Sequence, residues 1–144
     1  MSIIDKFESF AADFEAAVQN GDWSILEKHF ARDATYLNVG GPDPKCEGRK
    51  AILDYLKNDV TNFDRRFDVR TLVALTPPNA EGNRLSRQWR CTYSLAETPD
   101  LVVEGEARYL FQGNLIIEIE QEPAAESLQR VDEWMAKYAG KLHA

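Results

Sequence analysis

Cysteine, histidine and methionine are scarce, with two of each in 144 residues. Cys46 and Cys91 form no CxxC pair and have no metal-ligand spacing, so they read as reduced thiols in a cytosolic protein. His29 and His143 stand alone, which leaves no nucleus for a metal site. His29 is expected to be structural, on a short second helix, and His143 to lie in a frayed C-terminus. No apolar run approaches the roughly 20 residues of a membrane span. The start, Met1-Ser2-Ile3-Ile4-Asp5-Lys6, lacks the basic opening and apolar centre of a signal peptide, so the expectation is a cytoplasmic protein. Basic charge is also in deficit. The formal net charge of −7 argues against non-specific nucleic-acid binding and against anionic membrane surfaces.

What remains is an ordinary globular composition, 44% hydrophobic and 28% charged, in one chain of single-domain length (residues 1–144). Ile3, Phe7, Phe10, Phe14 and Ala17 recur at helical spacing, with Ser2 as N-cap and Asn20-Gly21 as the stop. Asp22 opens a short helix carrying Trp23, Leu26 and Phe30. A strand follows at 35–39, then a Gly/Pro loop over 40–48, then a helix over 49–61 with Ile52, Tyr55, Leu56 and Val60.

Beyond residue 66 the period changes to two. Phe67, Val69, Thr71, Val73 and Leu75 alternate with Arg66, Asp68 and Arg70. Leu85, Trp89, Cys91, Tyr93 and Leu95 alternate with polar residues. Val103, Gly105, Ala107, Tyr109 and Phe111 oppose Glu104, Glu106 and Arg108. Gly113-Asn114 turns into a last strand, 115–122, and a final helix over 125–139 places Leu128, Val131, Met135 and Tyr138 on one stripe. Helices followed by long antiparallel strands is an α+β pattern. The expected charged face, with Arg66, Arg70, Arg90 and Arg108 against Asp68, Glu104 and Glu106, reads as cross-strand ion pairing on a solvated or dimer-facing surface.

Several pieces in this order resemble the nuclear transport factor 2-like superfamily, in particular its SnoaL-like branch. They are the helix with Phe10 and Phe14, "NGDW" leading to "FARDATY", "CEGRKAI", "SRQWRCTY", and "VEGEARYLFQGNLI" with its closing hairpin, and they cover residues 5–122. The resemblance implies a cone: a curved antiparallel sheet around a cavity, closed by three helices. A small-molecule ligand of unknown identity is expected, with no cofactor. Members include ketosteroid isomerases, polyketide cyclases and limonene epoxide hydrolases, so the fold does not settle the reaction. The Asp general base of ketosteroid isomerases falls at Asn38, and their oxyanion-stabilising Asp near Ala107, so steroid-isomerase chemistry is not expected. The water-holding Tyr and Asn of the epoxide hydrolases match Tyr36 and Asn38. Their base on the last strand matches Glu120, as does the acidic base of SnoaL-like cyclases. Their Arg-x-Asp pair is missing, because the strand reads Arg87-Gln88-Trp89-Arg90-Cys91.

The facing of Glu120 stays open at the level of sequence. A two-residue Gly113-Asn114 turn pairs Phe111 with Ile116 and points Glu118 and Glu120 into the cone. A three-residue turn pairs Phe111 with Leu115 and points them out. Arg87 lies on an otherwise apolar face, either as a cavity cation or as an arginine whose stem covers apolar surface. The expected catalytic set is Glu120 as general base, with Tyr36 and Asn38 orienting water or a carbonyl. The expected pocket is Trp89, Arg87, Tyr109, Tyr55, Phe14 and Glu118. Two functions fit: a cofactor-independent lyase, isomerase or hydrolase acting on an apolar molecule, or a non-catalytic binding or protein-interaction dimer. A homodimer through the outer sheet face is expected in either case.

Overall fold

A computed structural model describes residues 2–40 and 45–144. Helix α1 (Ile3–Asn20) begins with a reciprocal capping box between Ser2 and Asp5 and ends on Gly21 in the left-handed region. Asp22 caps a 3₁₀ turn, Trp23–His29, which runs directly into β1 (Phe30–Asn38). This strand starts earlier than the sequence pattern indicates. Of the expected 40–48 loop, residues 41–44 lie outside the described residues, and Lys45–Glu47 forms β2. Helix α2 (Arg49–Asn62) and a 3₁₀ turn, Asp64–Arg66, lead to β3 (Val69–Ala74), β4 (Asn79–Glu81), β5 (Arg84–Ser94), β6 (Leu101–Gln112) and β7 (Leu115–Pro123). Helix α3 (Ala125–Tyr138) and a terminal 3₁₀ turn follow.

The sheet has seven strands in the order β2-β1-β7-β6-β5-β3, with β4 beside β5. All pairings are antiparallel except β1 with β7, which is parallel, so the sheet is mixed rather than purely antiparallel. The element order and helix placement are those of the cone-shaped α+β fold.

Two apolar clusters fill the inner side. One, under α1, α2 and the first 3₁₀ turn, contains Phe7, Phe10, Leu26, Phe30, Tyr36, Ile52, Leu85, Tyr109, Ile116 and Ile119. The other contains Phe67, Cys91, Tyr93, Leu101, Val103, Trp134 and Leu142. Trp89 packs against both.

The β6–β7 hairpin decides which way the last strand faces. Gln112 pairs Leu115 and Phe111 pairs Ile116, so the turn is the two-residue form, with Gly113 at φ +59°. One step on, Leu110 pairs Glu118. Ile117 is therefore an extra residue, a β-bulge that shifts the strand by one. Ile116 and Ile119 both reach the core, at 0% and 2% exposure. Glu118, Glu120 and Glu122 turn outward instead. Burying these carboxylates unpaired would cost several kcal/mol each, more than one disrupted pair of ladder bonds. The expectation that the short turn points Glu120 and Glu118 into the cone is thus corrected: the turn is short, and the bulge reverses its consequence.

Two further expectations change. Arg70 pairs Tyr93 across β3–β5 and shares its inner face, while Val69 and Val73 are exposed on the outer side. The C-terminus is docked. His143 Nε2 lies 2.6 Å from Asp68 Oδ1, its backbone N–H donates to the Arg66 carbonyl at 3.0 Å, and Leu142 is buried.

Candidate functional site

Residues paired across strands share a face, so the register lays out the cone floor as rows. Leu85, Tyr109, Ile119, Tyr36 and Cys46 form one row across β5, β6, β7, β1 and β2. Arg87, Ala107, Gln121 and Asn38 form the next. Trp89, Gly105 and Pro123 form a third. The centre of the floor on β6 is small, Ala107 and Gly105, and polar groups stand on either side of it.

Gly105 is there for space. A Cβ on it would fall 2.7 Å from the Glu122 carbonyl oxygen and 2.8 Å from Trp89 Cζ2. The Trp89 indole lies over this gap, and its Nε1–H donates to Gln121 Oε1 at 3.1 Å. Gly105→Ala is expected to lower stability by about 1–3 kcal/mol through this overpacking. Urea unfolding measures the loss, and the Trp89 fluorescence should change with it as the indole is displaced.

On the other side of the floor, Asn38 Nδ2 donates to the Tyr55 hydroxyl at 2.7 Å, and the Tyr36 and Tyr55 rings meet at 5.3 Å. Burial raises the Tyr36 hydroxyl well above its ordinary range, with smaller contributions from Tyr55, Tyr109 and Asp59, so it stays a neutral donor. Burial likewise pushes Tyr109 up to about 12, and the nearby Arg87 charge opposes this. Asn38, Trp89 and Gln121 lie on the inner face by register, and with Tyr55 they are half-buried. Asp59, one turn after Tyr55 on α2, is exposed. The protein packed around its carboxyl nonetheless raises its pKa.

Helix α3 packs against β6. Leu128 comes close to Gly40, the Trp134 ring packs on Phe67 at 5.1 Å, and Trp134 Nε1–H donates to the Pro99 carbonyl at 2.9 Å. The helical stripe read from sequence contained neither Trp134 nor Ser127, which are the buried residues of α3. Ser127 Oγ accepts the Glu104 N–H at 2.9 Å, tying the helix start to β6.

Between the two apolar clusters lies a second polar group. Arg70 donates through Nε to Asp64 Oδ2 at 2.7 Å and through Nη1 to Glu15 Oε1 at 2.8 Å. The guanidinium also lies 6.0 Å from the Phe14 ring centroid. Phe14 itself packs on Phe10 and Trp23, within the helix packing. Burial pushes Asp64 up to about 6 even against the Arg70 charge. From sequence Arg70 reads as part of the charged strand face, and nothing there ties it to Asp64. Only the fold brings them together with Glu15.

Carbon-13 titration of the Asp64 carboxyl is expected to show a midpoint near 6. A midpoint near the ordinary value of about 4 would mean that the cluster is solvated. A carboxyl raised by folding binds its proton longer in the folded state than in the unfolded one. Its contribution to stability therefore falls as pH rises from about 4 to about 6. Asp13 and Asp68, held below the ordinary range by His29 and His143, act in the opposite direction and lose their contribution as pH falls.

Glu120 is on the outer face. Arg108 Nη2 lies 3.1 Å from Glu120 and 2.9 Å from Glu122, and Nη1 lies 3.1 Å from Glu106. Hydrogen bonding with Glu118 and then pairing with Arg108 hold the Glu120 carboxyl below its ordinary range, while Glu118 is raised. A general base for the cone would need a raised pKa and an inward aim, and Glu120 has neither. Arg90 pairs with Glu104 at 2.8 Å, in the expected cross-strand manner. Among the described residues no group of three His, Cys, Asp or Glu could hold a metal ion, and no helix is long and apolar enough to cross a membrane. His29 is buried, with Nε2 2.7 Å from Asp13 Oδ2.

The SnoaL-like domain family matches residues 11–122. No curated protein matches the chain at a significant level. Among solved structures, a candidate isomerase from Bacillus subtilis superposes with a TM-score of 0.69 at 16% identity, covering 94% of this chain and 96% of its own. An M. tuberculosis epoxide hydrolase like limonene epoxide hydrolase gives 0.66 at 12% identity, covering 95% and 94%. TerC, co-crystallised with polyporic acid, gives 0.65 at 10% identity, covering 89% and 98%. At these identities the likeness is one of fold.

Proposed function

The chain belongs to the SnoaL-like domain family, and from that premise we propose that its cone binds an apolar small molecule, oriented by Asn38, Tyr36, Tyr55, Trp89 and Gln121. The carrying observation is the set of inward amide and hydroxyl groups beside Arg87, over a floor of Ala107 and Gly105 and among apolar neighbours. Neutral donors and acceptors in apolar walls are the usual make-up of a small-molecule site. TerC, a protein of the same fold, holds polyporic acid, which supports reading the cone as a ligand site.

A second reading adds cofactor-independent acid/base turnover: lyase, isomerase or hydrolase chemistry. It is supported by the geometry of Tyr36 and Asn38, which share the inner face of β1, with Asn38 held by the Tyr55 hydroxyl. In that reading Tyr36 and Asn38 orient water or a carbonyl oxygen. We also propose a homodimer through the outer sheet face, where Val69 and Val73 are exposed beside the charged rows. Cys46 and Cys91, which form no CxxC pair, suit a reducing, cytoplasmic setting.

The test is a fluorescence titration with the neutral apolar probe N-phenyl-1-naphthylamine. Saturable binding at one site per chain is expected, weakened at least tenfold by Asn38→Trp, which fills the interior next to Gln121. Absence of saturable binding to the wild type overturns the reading.

A further inference from the structure

Among the described residues, Arg87 is the arginine that keeps a buried side-chain nitrogen without a hydrogen-bond partner. Arg70, Arg90 and Arg108 each hold a carboxylate. Arg65 and Arg66 hold backbone carbonyls and Arg130 both kinds of acceptor. Arg87 points inward between Leu85 and Trp89, with its Nε buried and no hydrogen-bond partner. Its guanidinium lies over the Phe7 ring, 5.1 Å from the centroid. The aromatic face offsets part of the charge but accepts none of the in-plane N–H bonds. A half-buried guanidinium with an orphaned donor is a standing cost to the fold, and an arriving anion removes it.

We infer that Arg87 is the subsite for a carboxylate on the molecule that the cone binds, so that the ligand is a small apolar acid. The inference rests on the cone being a ligand site. Three features of the surroundings fit it. Arg87 stands in the same row as Ala107 and Gln121, so a group on Arg87 continues across the small floor toward the Gln121 amide and Asn38. Tyr109, packed on Phe7 at 4.9 Å, offers a neutral hydroxyl donor in the next row. The walls beside Arg87 are apolar: Phe7, Leu85 and Trp89. A single planar cation without a second one beside it suits the two oxygens of a carboxylate monoanion better than a phosphate dianion.

The experiment compares trans-cinnamate with neutral trans-cinnamide in wild type and Arg87→Met, reading dissociation constants by NMR titration together with the Arg87 Nε–H resonance. Wild type is expected to bind cinnamate at least tenfold more tightly than cinnamide, with the Arg87 Nε–H shifted by cinnamate alone. Arg87→Met is expected to bind the two equally. Its melting temperature should be no lower than wild type and up to about 2–4 °C higher, because a charge without a partner has been removed. Cinnamide binding as tightly as cinnamate overturns the inference and leaves the cone reading standing. So does a preference that survives in Arg87→Met, or a fall of more than about 2 °C in that variant, which would make the guanidinium a structural group. Displacement of cinnamate by inorganic phosphate at similar concentration overturns the commitment to a carboxylate. Failure of both probes to bind overturns the cone reading and this inference with it.

Discussion

Arg70→Ala is expected to destabilise the protein by about 3–5 kcal/mol, the range for breaking a buried ion pair from one side. Arg70 holds Asp64 at 2.7 Å and Glu15 at 2.8 Å, with side-chain exposures of 13% for Arg70 and 9% for Asp64. Removing the cation leaves the Asp64 carboxylate among Phe63, Phe67 and Tyr93 with no cation at contact distance and only the long bond from the Tyr93 hydroxyl, at 3.4 Å. The loss should depend on pH in a defined direction. Asp64 is already raised to about 6 with Arg70 present, and without it the carboxyl rises further. At pH 5 the group is protonated and the variant loses less; at pH 8 it is ionised and the variant loses more. Arg70→Met combined with Asp64→Leu is expected to recover much of the loss, because no buried charge is then left alone. Urea denaturation at the two pH values measures all three variants. A loss under about 1 kcal/mol, independent of pH, would show that water replaces Arg70 without difficulty.

Trp134→Ala is expected to cost a similar amount, about 3–5 kcal/mol. Trp134 is 5% exposed and packs on Phe67, just before β3, while its Nε1–H satisfies the Pro99 carbonyl. The deletion leaves a cavity where the second apolar cluster meets the helix. Trp134→Phe keeps most of the ring and should cost about 1–2 kcal/mol, largely the hydrogen bond. Were α3 a loosely attached appendage, Trp134→Ala would melt the helix early and leave the main unfolding transition in place. A single cooperative transition at lower urea concentration is expected instead, because Trp134 shares its cluster with Phe67, Tyr93 and Leu101.

Much of this architecture is legible in the residues. The inner faces of β5 and β6 follow from alternation, since the apolar residues Leu85 to Leu95 and Val103 to Phe111 mark the side that the helices cover. Ser2, Asp22 and Gly21 announce helix ends through local chemistry. The failures share a cause. The facing of β7 depends on one extra residue, Ile117, and periodicity carries no mark of a single insertion once Glu and Ile alternate on both sides of it. On β3 the apolar alternation of Val69, Val73 and Leu75 points to the wrong side. Arg70 turns inward because its partners, Asp64 and Glu15, come from segments that only the fold brings together. His143 reads as a frayed end for the same reason, as Asp68 and Arg66 are far away in sequence. The candidate site was half visible. Tyr36 and Asn38 share a face by strand period alone, and Trp89 lies on an apolar face. Gln121, the residue that Trp89 meets, has the opposite parity to the one expected of it until the bulge is known.

The most direct measurement is an NMR titration of the labelled protein with neutral 2-naphthol, following side-chain resonances on both faces of the sheet. The expected result is that the Trp89 indole N–H and the Asn38 and Gln121 amides shift together with one dissociation constant. The Arg108 Nε–H, on the outer face with Glu120, should not move. Shifts confined to Arg108 and its glutamates, or no saturable shift at Trp89, Asn38 and Gln121, would contradict a ligand site inside the cone.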